Sequence, residues 1–180
     1  MTASLSFRLA TLGDVPALQT LIARSVNSLQ ADDYSEAQRA KALGSVFGID
    51  RQLIRDGTYY IAEEAGGIVA CGGWSRRKTL FGADAVANRD DDALDPALDP
   101  ARIRAFYVDP DCARRGIGTQ LLEVCEAAAV AQGFTRLELA STLTGIPLYR
   151  RRGYAPLEPV EVPLPGGGSL TVLRMIKERR

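Results

Sequence analysis

The sequence predicts an α/β chain, a mixed sheet with helices on its faces, and three observations lead there. The N-terminal stretch passes from strand-like alternation in "LSFRLAT" to a helical period in "VPALQTLIARSVNSL". The middle holds "TYYIAEEAGGIVACGGWSR", two strand-like runs joined by a turn at residues 65–67, an antiparallel hairpin. From Arg102 onward, strand and helix patterns alternate as β-α-β-α-β, which adds crossovers to a sheet that opens with antiparallel strands.

Taken in order, Asp14 starts the first helix with Pro16 in its first turn, where the missing N–H costs nothing. Further helices are expected from Ser35 to Leu43 and from Asp50 to Asp56, ahead of the hairpin. Between Arg77 and Arg102 the chain becomes acidic and rich in Pro and Ala, "NRDDDALDPALDPAR". It reads as a surface excursion, either a solvated loop or a lid that selects substrate. "RIRAFYVD" is the next strand and stops before Pro110. The helix "GTQLLEVCEAAAVAQ" follows, with Leu121, Leu122, Cys125, Ala128 and Ala129 on one stripe and Gly133 at its C-terminal end. Then come the strand "TRLELAS", a short helix "GIPLYRRRG" closed by Gly153, and a final pair, "VEVPL" and "LTVLRMI", joined at "PGGGS". No repeat or linker divides the chain. At 180 residues, against about 150 per domain, residues 1–180 are expected to form a single domain.

Composition excludes several function classes. Apolar residues at 46% and charged residues at 24% are the balance of a soluble globular protein. Lys+Arg and Asp+Glu are both 22, so no net field favours nucleic acid or an anionic membrane, and neither is an expected partner. The N-terminus has no apolar signal core and no apolar run reaches membrane-spanning length, which points to the cytoplasm. Cys71, Cys112 and Cys125 are odd in number without C-x-x-C spacing, so they are expected to be unpaired. The absence of histidine removes His-based triads and H-E-x-x-H metal sites, and no metal is expected.

The chemistry concentrates in "PDCARRGIGTQLL", residues 110–122, a basic, Gly-containing turn that opens a helix after a strand. Such a turn presents backbone N–H groups at the positive end of a helix dipole, an anion site. It lacks the Gly-Lys-Ser/Thr of a P-loop, and Leu121 stands where a dinucleotide fingerprint needs its third glycine.

The hexapeptide "ARRGIG", residues 113–118, resembles the Arg/Gln-x-x-Gly-x-Gly/Ala signature of the GCN5-related N-acetyltransferase (GNAT) family, with Ala113 departing from its first position. Two more stretches follow in the family's order: "TRLELAST" is similar to its fifth strand, and "PLYRRRGY" to its Tyr-x-x-x-Gly-Phe/Tyr helix ending. The resemblance covers about residues 102–156. It implies an α/β (α+β) GNAT-like fold, a mostly antiparallel sheet flanked by helices on both faces, in which a splayed strand pair forms the acyl-CoA groove. It further implies acetyl-CoA as cosubstrate, held by Phe106, Tyr107, Val108, Ala113, Arg114, Arg115, Gly116, Ile117, Gly118 and Thr119. Within that set the N–H groups from Arg114 to Thr119 would face the pyrophosphate, and the strand backbone around Phe106 to Val108 would pair with the pantetheine arm. An N–H near Val108 would polarise the thioester carbonyl.

The same resemblance makes Tyr149 the candidate catalytic acid, since a phenol with a pKa of about 10 can protonate a departing thiolate. The base stays open among Glu63, Glu64, Glu138, an acid of the 84–99 loop and a water chain. Tyr34 and Trp74 are the candidates for lining the acceptor pocket. Cys112 as an acyl carrier is set aside, because no base accompanies it and the family transfers directly. The expected activity is acetyl transfer to a primary amine on a small molecule or a protein. The acidic 84–99 loop hints at a cationic acceptor. A catalytically weak acyl-CoA-binding module is the alternative reading, and transfer of a longer acyl group a further one. A homodimer paired through "VLRMI" of the final strand is a further expectation.

Overall fold

A computed structural model describes residues 4–86 and 89–179; residues 87 and 88 of the acidic loop lie outside it. The described residues form seven strands and five α-helices: β1 Ser6–Leu9, α1 Val15–Leu29, α2 Glu36–Ala42, α3 Arg51–Arg55, β2 Tyr59–Glu64, β3 Gly67–Ser75, β4 Ala101–Val108, α4 Ile117–Ala131, β5 Arg136–Thr142, α5 Ile146–Arg151, β6 Ala155–Pro163 and β7 Ser169–Glu178. They follow the predicted order, and the local chemistry explains the boundaries. Pro16 lies in the first turn of α1, Ser35 and Gln38 form a capping box on α2, and the Asp50 carboxylate caps α3 through Gln52 N. The β2–β3 turn is a two-residue loop in which Ala65 and Gly66 both have positive φ, 51° and 79°, matching the twist of a tight hairpin.

The sheet runs β1-β2-β3-β4-β5-β7-β6. All neighbours are antiparallel except β4 and β5, the crossover through α4. Strand alternation sends Tyr59, Ile61, Cys71 and Tyr107 to the face covered by α1 and α2, where they pack with Leu18, Ile22 and Phe47. Trp74, Ile103, Leu139 and Met175 face the other way, under Leu122 and Cys125 of α4. Among the described residues no helix is long and apolar enough to cross a membrane.

One expectation is corrected here. The final strand cannot pair across a subunit boundary through "VLRMI", because β7 is hydrogen-bonded on both sides within the chain, to β5 and to β6. The open edges are β1 and β6, and β6 carries Pro156, Pro159 and Pro163, which lack a donor and discourage edge pairing.

β3 contains a point where no side chain fits. A Cβ on Gly73 would lie 2.6 Å from the Thr58 carbonyl oxygen and 3.2 Å from Tyr59 Cα, both backbone atoms at the start of the neighbouring strand. Gly73→Ala is therefore expected to destabilise the fold by about 1–3 kcal/mol through overpacking, read as a lower urea midpoint at unchanged m-value. An unchanged midpoint would show that β2 and β3 can move apart freely.

Candidate active site

β4 and β5 pair only at Ala101↔Leu137 and Arg102↔Glu138, after which the two strands separate. The cause lies in β4. Its register with β3 shifts so that Ala105 and Phe106 together oppose Gly72, and Ala105 takes φ 57°, a left-handed conformation that an alanine seldom adopts. The bulge is held from two directions. The Tyr59 hydroxyl donates to the Ala105 carbonyl at 2.9 Å, and the Phe106 ring covers Gly72 so closely that a Cβ there would stand 2.6 Å from it. A bulge bends its strand and frees backbone groups from the ladder, and this one opens the sheet.

The opening is a cleft of about 820 Å³. Phe106, Tyr107 and Val108 form one wall, Leu139 to Thr142 of β5 the facing one, and Tyr149 of α5 a third side. At one end lies the turn before α4. Its backbone is set by Arg114 with φ 61° and Gly116 with φ 80°, and Gly116 serves as the N-cap of α4. A Cβ on Gly116 would meet nothing within 4 Å, so here glycine is required by its φ rather than by crowding from the protein. The N–H groups of Ile117, Gly118 and Thr119 have no backbone acceptor among the described residues and stand at the positive end of a 15-residue helix. Arg24 of α1 braces the turn through ion pairs to Asp109 at 2.5 Å and Asp111 at 2.9 Å.

Tyr149 follows Gly145, whose missing side chain leaves room for the phenol ring; a Cβ there would be 3.1 Å from Tyr149 Cε2. The ring packs edge-on to Tyr154 at 5.7 Å and is 8% exposed, on the cleft wall. Burial pushes its phenol above the ordinary tyrosine range, with Cys125 adding to the shift, so the proton stays on Oη at neutral pH.

Ten of the sequence-derived candidates line the cleft: Tyr149, Phe106, Tyr107, Val108, Ala113, Arg114, Gly116, Ile117, Gly118 and Thr119. Three lie elsewhere. Arg115 turns away to pair with Glu64 at 2.7 Å. Tyr34 is a core residue, its hydroxyl donating to the Thr171 carbonyl at 2.6 Å and accepting from Leu143 N at 3.0 Å. Trp74 sits under α4 in the core, with its ring 6.0 Å from that of Phe134, and does not line the cleft.

The carboxylates considered as bases also lie off the wall. Glu63 pairs with Arg8 at 2.8 Å, Glu64 with Arg115, and Glu138 with Arg102 and Arg174. In the acidic loop Asp84 pairs with Arg51, Asp91 with Arg89, and Asp90 and Asp92 with Lys78. Three residues outside the sequence candidates shape the site: Gly72, Ala105 and Arg104. The "GG" of β3 was the one local signal for the bulge; the burial of Arg104 had none.

A family model described as an acetyltransferase (GNAT) domain matches residues 55–156, more than half of the chain. The chain belongs to the GNAT acetyltransferase family. As a GNAT protein it is an N-acetyltransferase enzyme, and the matched span contains the bulged strand, the turn, α4 and Tyr149. Among solved structures, the chain is similar to a GCN5-related N-acetyltransferase from Rhodopseudomonas palustris, with TM-score 0.72, 23% identity, and 99% of this chain and 98% of that one covered. It is also similar to the PaiA N-acetyltransferase of Thermoplasma acidophilum in complex with coenzyme A, at 0.68, 14%, 97% and 99%. A third is the Drosophila melanogaster polyamine N-acetyltransferase, at 0.62, 14%, 97% and 100%. At these identities the likeness is one of fold, the mixed seven-stranded sheet with helices on both faces. No curated protein matches the sequence.

Proposed function

We propose that residues 1–180 form one acetyltransferase domain that takes acetyl-CoA as donor and passes its acetyl group directly to a primary amine. The observation that carries this reading is the junction of the splayed β4–β5 pair with the N-terminus of α4 in one cleft. That cleft fits an extended acyl carrier with a phosphate end. The free N–H groups of residues 117–119 and the open space over Gly116 receive the pyrophosphate without a side chain in the way. Arg114, exposed beside them, adds charge, and Ala113 adds only its backbone.

Acetyl-CoA supplies the activated carbonyl. The protein supplies the rest: the bulged backbone from Phe106 to Val108 orients the arm as an added strand and offers an N–H toward the carbonyl oxygen. Tyr149 holds a proton at Oη for the sulfur, and its buried neutral phenol suits that task. No carboxylate lines the cleft among the described residues, so the amine gives up its proton to solvent reaching the open end.

The test is calorimetric titration with acetyl-CoA, CoA, NAD and ATP, on wild type and on Gly116→Glu. Both CoA species are expected to bind selectively. Gly116→Glu, which places a carboxylate at the anion site and a side chain on a positive-φ residue, is expected to weaken them by more than about tenfold. Absence of CoA binding to wild type would overturn the reading.

A further inference from the structure

Resting on the donor assignment just proposed, we infer that the acceptor is an amine that also carries a carboxylate, and that Arg104 is the residue that selects it. The inference begins with sign. Every charged residue that lines the cleft among the described residues is an arginine: Arg104, Arg114 and Arg151. Arg114 and Arg151 are exposed at the end formed by the α4 turn and α5, where the phosphates of the donor are expected. Arg104 is different. Its side chain is 2% exposed and it precedes the bulge at Ala105, on the side of the cleft walled by residues 46–48 and 80–82.

A buried guanidinium needs an anion, and Arg104 has only a share of one. Its Nη1 lies 2.7 Å from Asp50 Oδ2, but Arg89 Nη2 lies 2.9 Å from the same oxygen. Two cations divide one carboxylate; the further acid, Asp91, contacts Arg89 and is 40% exposed. The Arg104 Nη2 donates to the Gly82 carbonyl at 2.6 Å, and its Nε has no partner among the described residues. A second orphan stands on the same cleft: the buried Gln30 has no donor for its Oε1. One unpaired cationic N–H and one unpaired carbonyl oxygen are complementary to a carboxylate and an amine. Such buried groups carry a cost that a ligand relieves. Val46, Phe47, Leu80 and Phe81 complete this side of the cleft with apolar surface, which suits an amino acid with an apolar side chain.

The same charges argue against a polycation. Of the acids of the 84–99 loop, Asp84, Asp90, Asp91 and Asp92 are held by Arg51, Lys78 and Arg89, and among the described residues none of the loop's acids lines the cleft. The position of Arg104 also limits the spacing. Because it is adjacent to the bulge, a carboxylate bound there leaves an amine only a short reach from the Phe106–Val108 backbone, the separation found within one amino acid.

The experiment measures acetyl transfer, as thiol release with acetyl-CoA, to leucine, methionine and phenylalanine. Each is compared with its own amide and its decarboxylated amine, and spermidine is included as a polycation. The free acids are expected to exceed their amides by roughly tenfold to 100-fold in kcat/KM, mostly through KM, the scale of a charge-assisted hydrogen bond. Arg104→Gln is expected to erase that gap while leaving acetyl-CoA affinity as in wild type. Should this variant fail to fold, Arg104→Met, which leaves Asp50 paired with Arg89, carries the same test. An amide or amine that matches its parent acid, a preference for spermidine, or a gap that survives loss of Arg104 overturns the inference. Calorimetry on the same wild-type sample separates the two readings. With CoA bound and no preference for the acid, the acceptor inference falls alone; with no CoA bound, the donor reading falls and takes this inference with it.

Discussion

Tyr149→Phe is expected to lower kcat by about 10²- to 10⁴-fold, the usual contribution of a positioned acid, while the Kd for acetyl-CoA stays within a factor of about two. The substitution removes one oxygen and preserves the ring, so the edge-on contact with Tyr154 and the room provided by Gly145 are unchanged. The pH profile adds a second readout. Burial holds the Tyr149 phenol above its ordinary value, so the protonated, active form persists as pH rises. Wild-type kcat should therefore show no tyrosine-like decline below a pH of about 10, the unperturbed value. If Tyr149→Phe leaves kcat intact, the proposed acid is not this residue. If wild type binds CoA but neither protein turns over any amine, the cleft is that of a binding module.

Legibility in the sequence followed the range of the interactions concerned. The turn before α4 could be read because its determinants are local: a strand that stops before Pro110, then glycines, then a helical stripe, all within one short segment. The hairpin turn at Ala65 and Gly66 was readable for the same reason. The splay of β4 from β5 depends on residues brought from elsewhere. Nothing in "RIRAFYVD" marks Ala105 for a left-handed φ; the Tyr59 hydroxyl on β2 and the space over Gly72 on β3 hold it there. Tyr34 and Trp74 illustrate the converse. Their types suit a ligand pocket, but a hydrogen bond to β7 in one case and packing against Phe134 under α4 in the other commit them to the core. Glu63, Glu64 and Glu138 could not be ranked from sequence, since what removes each from the cleft is an arginine distant in the chain.

Asp50→Ala is expected to cost about 3–5 kcal/mol of folding stability, the penalty for leaving a buried charge without its partner. Sequence marked Asp50 only as a helix start, and that role is real, since its Oδ1 accepts from Gln52 N at 3.0 Å, a cap worth about 1 kcal/mol. The larger share comes from the side chain's complete burial between Arg104 and Arg89. Desolvation already lowers the Arg104 pKa from its usual value, and Asp50 is the first of the groups opposing that shift. Removing it strands a guanidinium in the interior with the Gly82 carbonyl as its remaining hydrogen-bond partner. Asp50→Asn separates the two roles. It keeps an oxygen for the cap and loses the charge, so its urea midpoint should fall between wild type and Asp50→Ala. A loss below about 1 kcal/mol for Asp50→Ala would mean that Arg104 finds another anion or reaches water. The site and the fold meet at this carboxylate: an Asp50 that satisfied Arg104 alone would give a quieter core, and by being shared with Arg89 it leaves the cleft a cation that a ligand can complete.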